Sequence, residues 1–477
     1  MMNRLDVGGV DLSLTDAGQE LFHMMQMVDI AEAIADKGGR ALYVGGWVRD
    51  RLMGLPSKDM DVEVFGMEPD ALRTVLESFG TVNCVGESFG VYKLGDMDFT
   101  IPRRDSKTDR GHKGFVVTGD PTMSIEDAAR RRDFTINAIY LDPLTLEYLD
   151  PFDGQVDIKK ALLRVVDPER FADDSLRVLR GVQFAARFGF DFAPASLELM
   201  RGMDLSDLPC ERVWGEFEKL LKSKNPAFGL FQAERLGVVD KLWPELASMK
   251  GVQQDPEWHP EGDVWEHTLQ VVSMARQVVD AQQPSNSYPE TVAVMLGALC
   301  HDMGKPSTTA FVDGRWRAHG HEAAGVPFAT AFLDRLNVHT LDGYNVRAQV
   351  LALVEYHLLP LAWFKEQPRK SAFRRLSHKV DLLLLAQVAA ADKLGRSVTG
   401  QPVVAPVEAV EWFVDTVGSL DLSDGPPPSL LMGRHLLDLG MKPGPQVGVV
   451  VKAVYERQMD GSVTNLDEAL AAARELM

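Results

Sequence analysis

The chain has 477 residues, a length that predicts about three or four domains rather than one core. Its 45% hydrophobic and 25% charged residues are typical of a folded globular protein and exclude a disordered chain. Three cysteines without paired spacing predict a reducing compartment and exclude a cysteine-based zinc site. With no basic-then-apolar leader and no apolar run of membrane-spanning length, we expect a cytoplasmic location.

The net charge of −19 disfavours nonspecific binding to nucleic acid, because phosphate contacts need Lys and Arg. Two segments depart from this balance. Residues 103–113 hold five basic and two acidic side chains, and residues 365–379 hold six basic and one acidic side chain. Each segment is either an RNA-contacting surface or a solvated face, and composition alone leaves both interpretations open.

The first third of the chain predicts a small α/β unit. An amphipathic helix is expected over residues 17–37, a strand over 41–44 and a further helix near 69–79. Strand-like segments follow at residues 60–65, 91–94, 97–101 and 136–141. We therefore expect an α+β protein whose mixed α/β head precedes helical regions.

The remainder of the chain predicts helices, because apolar residues recur at spacings of three and four. Segments rich in Pro and Gly at residues 253–262 and 398–406 mark boundaries. The predicted domains are a head at residues 1–155, a helical neck at 156–252, a second helical domain at 253–400 and a C-terminal helical tail at 401–477.

A glycine pair and an acid pair make the head a candidate phosphate site. Gly45 and Gly46 allow close backbone approach to phosphate oxygens where a strand passes into a helix. Arg49, one turn into that helix, is expected to clamp a triphosphate bidentately. Asp59 and Asp61 project from one face of the next strand, and two such carboxylates repel each other unless a cation lies between them. Mg²⁺ prefers these oxygen ligands. The pattern predicts a magnesium-dependent phosphoryl-transfer site.

These residues resemble a known family. The stretch from Gly45 to Gly54, followed by Asp59-Met-Asp61, resembles the head of class II tRNA nucleotidyltransferases, the CCA-adding enzymes, and of the related bacterial poly(A) polymerases. Residues 131–138, 173–180 and 211–221 resemble the later motifs of the same family. The resemblance implies a polymerase β-like head, catalytic Asp59 and Asp61 with Mg²⁺, and tRNA, CTP and ATP as partners.

The resemblance also assigns nucleotide-binding residues. Arg132 is expected to meet phosphates, and Asp133 and Asn137 to contact sugar hydroxyls. An aspartate accepts from the exocyclic amine that cytosine and adenine carry and uracil lacks, so Asp174 is expected to select the base. Arg177 donates to the adjacent ring acceptor. The full set is Gly45, Gly46, Arg49, Arg132, Asp133, Asn137, Asp174, Arg177 and Arg180.

A third carboxylate is expected to complete the head site. Asp98 lies on a neighbouring predicted strand, where relatives of this fold place one, while Glu63 shares the strand face of the aspartate pair. We favour Asp98 as the catalytic residue and leave Glu63 as the alternative. At position 173 the chain has Asp where the family mostly has Glu, and we expect little consequence because Asp174 reads the base.

A second site is predicted downstream. The continuously apolar helix 292–300 ends in His301-Asp302, and buried polar groups there need a partner. The order of His and Asp resembles the HD phosphohydrolase superfamily, which implies a divalent metal, with Mn²⁺, Ni²⁺, Co²⁺ and Mg²⁺ all compatible. The expected ligands are His267, His301, Asp302, His321, His357 and Asp392.

Together these features predict an enzyme that adds CCA to tRNA 3′ ends with release of pyrophosphate. An HD-domain phosphohydrolase activity on 2′,3′-cyclic or terminal phosphates is expected beside it. The alternatives are an A-adding enzyme or poly(A) polymerase, a hydrolase whose head only holds RNA, and a non-catalytic tRNA-binding protein. The full-length segment 101–115 disfavours CC-only addition, and the oligomeric state stays open.

Overall fold

The computed structural model describes residues 6–7, 10–11, 16–57, 60–85, 90–107, 115–396 and 407–477. The chain divides into two compact units, Met1–Leu208 and Pro209–Met477. The expected α+β class is confirmed, because a mixed α/β head is followed by helical regions. None of the described helices combines the length and the apolar character that crossing a membrane requires.

The first unit contains the head sheet. Its elements are β1 (Asp6–Val7), β2 (Val10–Asp11), α1 (Asp16–Ala35), β3 (Arg40–Val44), α2 (Gly46–Leu52), β4 (Met60–Phe65), α3 (Pro69–Glu77), β5 (Asn83–Val85), β6 (Val91–Leu94), β7 (Met97–Thr100), β8 (Arg103–Lys107), β9 (Phe115–Gly119), α4 (Ile125–Arg130), β10 (Tyr140–Leu141), β11 (Tyr148–Leu149), α5 (Gly154–Lys159), β12 (Leu162–Leu163), α6 (Pro168–Phe171), α7 (Leu176–Phe188), β13 (Asp191–Phe192) and α8 (Pro194–Arg201).

Seven strands form the sheet in the order β11-β10-β3-β4-β7-β6-β5. The central strand β4 pairs antiparallel with β3 and parallel with β7. Apolar residues alternate along β4, so Met60, Val62 and Val64 are buried in the core beside α1 and α3. The residues between them, Asp61 and Glu63, therefore lie on the opposite face.

The predicted strand at residues 136–141 is only partly correct. A 3₁₀ helix spans Thr135–Asn137, and strand pairing covers only Tyr140–Leu141. The alternating sequence reads as a strand, but the Thr135 hydroxyl donates to buried Asp157 Oδ2 at 2.7 Å. Gly154 packs so closely beneath that a Cβ there would lie 2.2 Å from the Thr135 carbonyl oxygen. These tertiary contacts favour the tight turn over an extended chain.

The second unit consists of helices and one hairpin. Its elements are α9 (Cys210–Lys222), α10 (Pro226–Arg235), α11 (Val238–Leu242), α12 (Pro244–Ala247), α13 (Val264–Ala281), α14 (Tyr288–Cys300), α15 (Lys305–Thr308), β14 (Ala310–Val312), β15 (Arg315–Arg317), α16 (His321–Arg335), α17 (Val346–Tyr356), α18 (Leu359–Glu366), α19 (Lys370–Leu376), α20 (Leu382–Leu394), α21 (Glu408–Ser419), α22 (Gly433–Asp438), α23 (Pro445–Asp460) and α24 (Leu466–Leu476).

Helix α14 lies at the centre of this unit. Every residue from Val292 to Cys300 is buried, and α14 packs against α13, α17 and α20. Helix α13 begins with a capping box in which Asp263 accepts from the Glu266 amide. Because its apolar part, Val292–Cys300, packs against these helices, α14 holds the residues that follow its C-terminal end in a fixed position.

The basic segment 365–379 makes structural contacts with the C-terminal helices. Arg375 donates to Glu456 Oε2 at 2.8 Å and to Asp460 Oδ1 at 2.7 Å on α23. Arg374 donates to the Met459 carbonyl oxygen, and His378 accepts from the Tyr455 hydroxyl or donates to it. Two of the six cations that composition left unassigned, Arg374 and Arg375, therefore contact α23.

Candidate active sites

The turn between β3 and α2 brings the first candidate site together. Gly45 has φ +76°, a left-handed conformation that favours glycine. A Cβ at this position would lie 3.1 Å from Arg132 Nη1 and 3.4 Å from Asp61 Oδ2. The glycine thus permits a close approach of the backbone to an acid on β4 and a base from the segment after α4. Three of the predicted residues meet here.

The acid pair of the prediction is only partly described. Asp59 lies outside the described residues. Asp61 is exposed and pairs in register with Asp98 on the adjacent parallel strand, so the two side chains lie on one face of the sheet. Both oxygens of Asp98 accept from Lys93 Nζ at 2.8 Å. The sheet therefore places the preferred third carboxylate beside Asp61.

Glu63, the alternative third acid, is buried and paired. Its Oε2 accepts from the Tyr140 hydroxyl at 2.9 Å and lies 3.6 Å from Arg132 Nη2. Burial and the Glu63 charge raise the pKa of Tyr140, which keeps the hydroxyl as the donor. Burial disfavours the charged form of Arg132, but its interaction with Tyr140 and the charges of Glu63 and Asp61 raise its pKa. The buried Glu63 carboxylate thus orients the Arg132 guanidinium through this ion pair.

Arg49 lies beneath the glycine turn rather than on its surface. Its side chain is 3% exposed and donates to Asp50 Oδ1 at 2.9 and 2.7 Å and to Asn137 Oδ1 at 2.6 Å. The guanidinium also lies over the Phe188 ring at 4.7 Å. Burial lowers the pKa of Arg49, with Asp50 opposing that effect. In this conformation the predicted phosphate clamp instead positions Asn137.

Asp133 and Asn137 belong to one buried network. Asn137 Nδ2 donates to Asp133 Oδ1 at 2.9 Å, and Arg180 Nε donates to Asp133 Oδ2 at 2.7 Å. Burial opposes ionisation of Asp133, but Arg180 and Asn137 hold its pKa below the usual value. The chain Arg49–Asn137–Asp133–Arg180 joins α2 to α7, and it fixes two predicted sugar-contacting groups relative to the predicted base-reading helix.

The base-reading residues lie at the start of α7. The helix begins at Leu176, so Asp174 precedes it, and Asp174 Oδ1 accepts from the Leu176 amide at 3.1 Å. Arg177 donates to the carbonyl oxygens of Arg170 at 2.7 Å and Arg131 at 2.6 Å. Burial lowers the pKa of Arg177. Two backbone acceptors therefore hold the guanidinium in one orientation, which selection of a base requires.

The donor set of the head fits a metal-bound triphosphate. Asp61 and Asp98 offer hard carboxylate oxygens side by side, the ligands that Mg²⁺ prefers. Arg132 Nε is buried and has no hydrogen-bond partner among the described residues. An unsatisfied guanidinium donor next to a glycine turn is suited to an anion.

The second candidate site lies within the second unit, and the structure brings all six predicted residues together. The exposed fraction is 0–1% for five of them and 7% for the sixth; they are His267, His301, Asp302, His357, Asp392 and His321. His267 Nε2 lies 3.1 Å from Asp392 Oδ1, and His301 Nε2 lies 3.1 Å from Asp302 Oδ2. His321 Nε2 lies 3.2 Å from Asp302 Oδ1 and 3.4 Å from His357 Nε2.

The orientation of three imidazoles is set by the backbone. His301, His321 and His357 each place Nδ1 2.8 Å from a carbonyl oxygen three residues earlier. We assign the proton to Nδ1 from these contacts, which leaves the Nε2 lone pairs directed at the carboxylates and at one another. Buried lone pairs that face each other repel unless a cation separates them. The cluster therefore fits a divalent metal ion.

The electrostatics of the imidazoles differ. Burial disfavours the charged forms of His267 and His321, but Asp392 raises the pKa of His267 and Asp302 that of His321, and a metal ion would replace these interactions. Burial and the neighbouring imidazoles of His301 and His321 lower the pKa of His357 to about 3, so this ring is neutral at pH 7, as a metal ligand must be. Possible ligand groups within this cluster are His267 with His301 and Asp302, and Asp302 with His321 and His357. Two overlapping groups that share Asp302 leave room for one or two ions.

Four further residues next to this site were not predicted. Lys305 Nζ lies 2.7 Å from Asp302 Oδ2, and Arg396 Nη2 lies 2.7 Å from Asp392 Oδ2. Glu261 Oε1 lies 2.7 Å from His267 Nδ1 and 2.9 Å from His259 Nδ1, and these imidazoles lower the pKa of Glu261 to about 2 against the effect of burial. The sequence signal was present, since Lys305 follows His301-Asp302 and Arg396 lies one helical turn after Asp392.

The fold and the two sites define a nucleotidyltransferase head combined with an HD domain. Family models match in the same order along the chain. The "Poly A polymerase head domain" matches residues 41–164, the "Probable RNA and SrmB- binding site of polymerase A" matches residues 189–250, and the "HD domain" matches residues 264–397.

Curated relatives give the family. The multifunctional CCA protein of Actinobacillus pleuropneumoniae serotype 5b is 32% identical over 397 residues, which cover 80% of this chain and 91% of the relative. That of Nitrosococcus oceani is 34% identical over 369 residues, covering 74% and 84%. The chain belongs to the multifunctional CCA protein family.

Solved structures share the fold. The CCA-adding enzyme of Bacillus stearothermophilus in complex with CTP is similar with a TM-score of 0.62 at 22% identity, covering 95% of this chain and 97% of the other. The Thermotoga maritima CCA-adding enzyme complexed with tRNA has a TM-score of 0.59 at 17% identity, with 97% of each chain covered. At these identities the likeness concerns the fold alone.

Proposed function

We propose that this chain adds CCA to the 3′ ends of tRNA, using CTP and ATP and releasing pyrophosphate. The observation that carries the proposal is the glycine turn at Gly45, where Arg132 Nη1 and Asp61 Oδ2 lie within 3.4 Å of the position that a Cβ would occupy. In this proposal Asp59, Asp61 and Asp98 hold Mg²⁺, which supplies charge stabilisation in phosphoryl transfer. In the same proposal, the head spans residues 1–155, the neck spans 156–252 and the C-terminal tail spans 401–477.

The chain's own residues bind and orient the nucleotide. Arg132, oriented by Glu63, binds the triphosphate at the turn formed by Gly45 and Gly46, while Arg49 holds Asn137 in place. Asp133 and Asn137 receive the sugar, with Arg180 fixing Asp133. Asp174 and Arg177 then select cytosine or adenine through the Watson–Crick edge, because an exocyclic amine donates to Asp174 and a carbonyl oxygen is repelled by it.

The proposal is tested with tRNA that ends at the discriminator base. The protein is incubated with this RNA and labelled CTP, ATP or both, and the products are sequenced. We expect products that end in CCA when both nucleotides are present and in CC with CTP alone. Poly(A) tails on tRNA and on unrelated RNA would instead establish the alternative, a poly(A) polymerase, which shares the matched head domain.

For the HD domain, proposed to span residues 253–400, we propose metal-dependent hydrolysis of 2′,3′-cyclic or terminal phosphates on RNA. The carrying observation is the set of buried Nε2 lone pairs that face Asp302. The six clustered residues would hold Mn²⁺, Ni²⁺, Co²⁺ or Mg²⁺, and the metal would supply the activation of water. Lys305 and Arg396 neutralise the two carboxylates and lie where a phosphate would approach. The test is release of product from 2′,3′-cyclic AMP with each metal.

A further inference from the structure

A cleft leads from the buried cluster to the hairpin formed by β14 and β15. It encloses about 650 Å³ of empty space, including its opening to solvent, and Asp302, Lys305, His321 and Arg396 line its inner part. Trp316 and Arg317 of the hairpin line the same cleft. The part of this space that water can occupy is about 230 Å³, somewhat below the range of about 300–1,000 Å³ that is usual for small-molecule sites. The cleft therefore offers space for more than a phosphate group.

Trp316 is held in place on the wall of this cleft. Its ring packs edge-on against Phe311 at a centroid distance of 5.1 Å across the hairpin, and the register pairs these two residues. Phe311 itself is 61% exposed and Trp316 is partly exposed, so core packing accounts for neither ring fully. The indole borders the same cleft as Lys305 and Arg396, where it is accessible to a ligand.

The hairpin is also tied to the opposite loop. Arg315 Nε lies 3.2 Å from Asp255 Oδ2, and a second ion pair joins Arg315 to Glu257. The neighbouring Gln254 accepts from Lys305 Nζ at 2.7 Å. These contacts connect the hairpin to the residues around the metal cluster, so the position of Trp316 relative to Lys305 is defined.

We propose that Trp316 is the nucleobase platform of the HD site. This proposal rests on the proposed hydrolase function and names its substrate class: nucleoside phosphates, with the phosphate at Lys305 and Arg396 and the base stacked on the indole. Stacking on an aromatic ring is tolerant of base identity because every base has a π-face. The platform thus suits any RNA 3′ end and distinguishes nucleotides from simple phosphoesters.

The test compares two cyclic phosphates, 2′,3′-cyclic AMP and glycerol 1,2-cyclic phosphate, which lacks the base. In the Trp316→Ala variant we expect KM for 2′,3′-cyclic AMP to rise by about 5-fold or more, since stacking contributes about 1–3 kcal/mol per base. The constants for glycerol 1,2-cyclic phosphate should stay unchanged. Trp316→Phe should retain most of the affinity, and Phe328→Ala, on the exposed side of α16, is the matched control.

A second measurement does not depend on turnover. Equilibrium dialysis of labelled 2′,3′-cyclic AMP, with EDTA in place of the metal so that the ligand is not hydrolysed, should show binding to the wild type that Trp316→Ala weakens by a similar factor. Equal losses on both substrates, or none on either, would overturn the platform while leaving the hydrolase intact. If the wild type hydrolyses neither substrate, the hydrolase proposal fails, and dialysis alone decides: unchanged binding in Trp316→Ala then excludes the platform.

Discussion

The head site and the HD site use charge in opposite ways. In the head, Asp61 is exposed, while the residues behind it, such as Glu63 and Asp133, are buried and paired with arginines. In the HD domain, the candidate ligands themselves are buried, and cations from Lys305 and Arg396 offset their carboxylates. A site for a nucleotide that enters and leaves keeps its charges near the surface, whereas a site for a retained ion surrounds it.

The largest effect is expected from Asp61→Ala. Loss of a carboxylate that holds Mg²⁺ removes several kcal/mol of transition-state stabilisation, so nucleotide addition should fall by about 10³-fold or more. Hydrolysis by the HD domain should not change. The measurement is incorporation of labelled CTP into tRNA lacking its CCA end, with exposed Asp36→Ala as the control. Activity above a few per cent of wild type would exclude Asp61 as a metal ligand.

The paired variant His301→Ala with Asp302→Ala should remove the second activity and leave the first. These residues join both possible ligand groups, so we expect the metal content after dialysis, measured by mass spectrometry, to fall to background. Hydrolysis of 2′,3′-cyclic AMP should be lost with Mn²⁺, Ni²⁺, Co²⁺ and Mg²⁺ alike. The milder Asp302→Asn, which keeps the volume, serves as a check on folding. A wild-type protein without metal or phosphoesterase activity would contradict the assignment.

Base selection in the head should depend on Asp174 more than on the adjacent Asp173. Asp174→Ala removes the acceptor that repels guanine and uracil, a discrimination of about 1–3 kcal/mol, or about 5- to 150-fold. Incorporation of UTP and GTP relative to CTP should rise by such a factor while Asp173→Ala changes it little. An unchanged ratio combined with a lower rate would mean that Asp174 only caps α7.

The smallest effect is expected at the support of Arg132. Tyr140→Phe leaves the buried Glu63 carboxylate without its donor, at a cost of about 1–3 kcal/mol in stability. Thermal unfolding followed by circular dichroism should show a lower first transition than in Tyr148→Phe on the adjacent strand. Nucleotide addition should fall only a few-fold. An unchanged unfolding curve would mean that Glu63 is satisfied in another way.

The residues that meet in the HD cluster could be predicted from the sequence, whereas the contacts within the head site could be predicted only in part. All six HD residues meet although they span positions 267 to 392, because each motif ends or begins a helix of one packed bundle. Arg49 was expected to clamp the triphosphate, but its hydrogen-bond partner Asn137 is 88 positions away and could not be inferred from local pattern. Short motifs identify residue types, while burial depends on distant partners.

The hairpin that carries Trp316 also could not be predicted from local sequence patterns. Residues 310–317 lie within a helical block, and their two three-residue strands give no periodic signal long enough to read. The cations of Arg374 and Arg375 could not be assigned from composition either, since their acceptors lie more than 80 positions later on α23. In each case a long-range contact decides what a side chain does.

In the proposed function, two independent sites act on the same RNA end. The most direct measurement uses tRNA that lacks CCA and ends in a 2′,3′-cyclic phosphate, which must be removed before extension. Wild-type protein with CTP, ATP and the active metal should yield CCA ends. Neither Asp61→Ala nor the His301→Ala and Asp302→Ala variant should do so alone, but a mixture of the two should restore CCA ends. A mixture that fails, although each variant keeps its remaining activity, would contradict two separable sites.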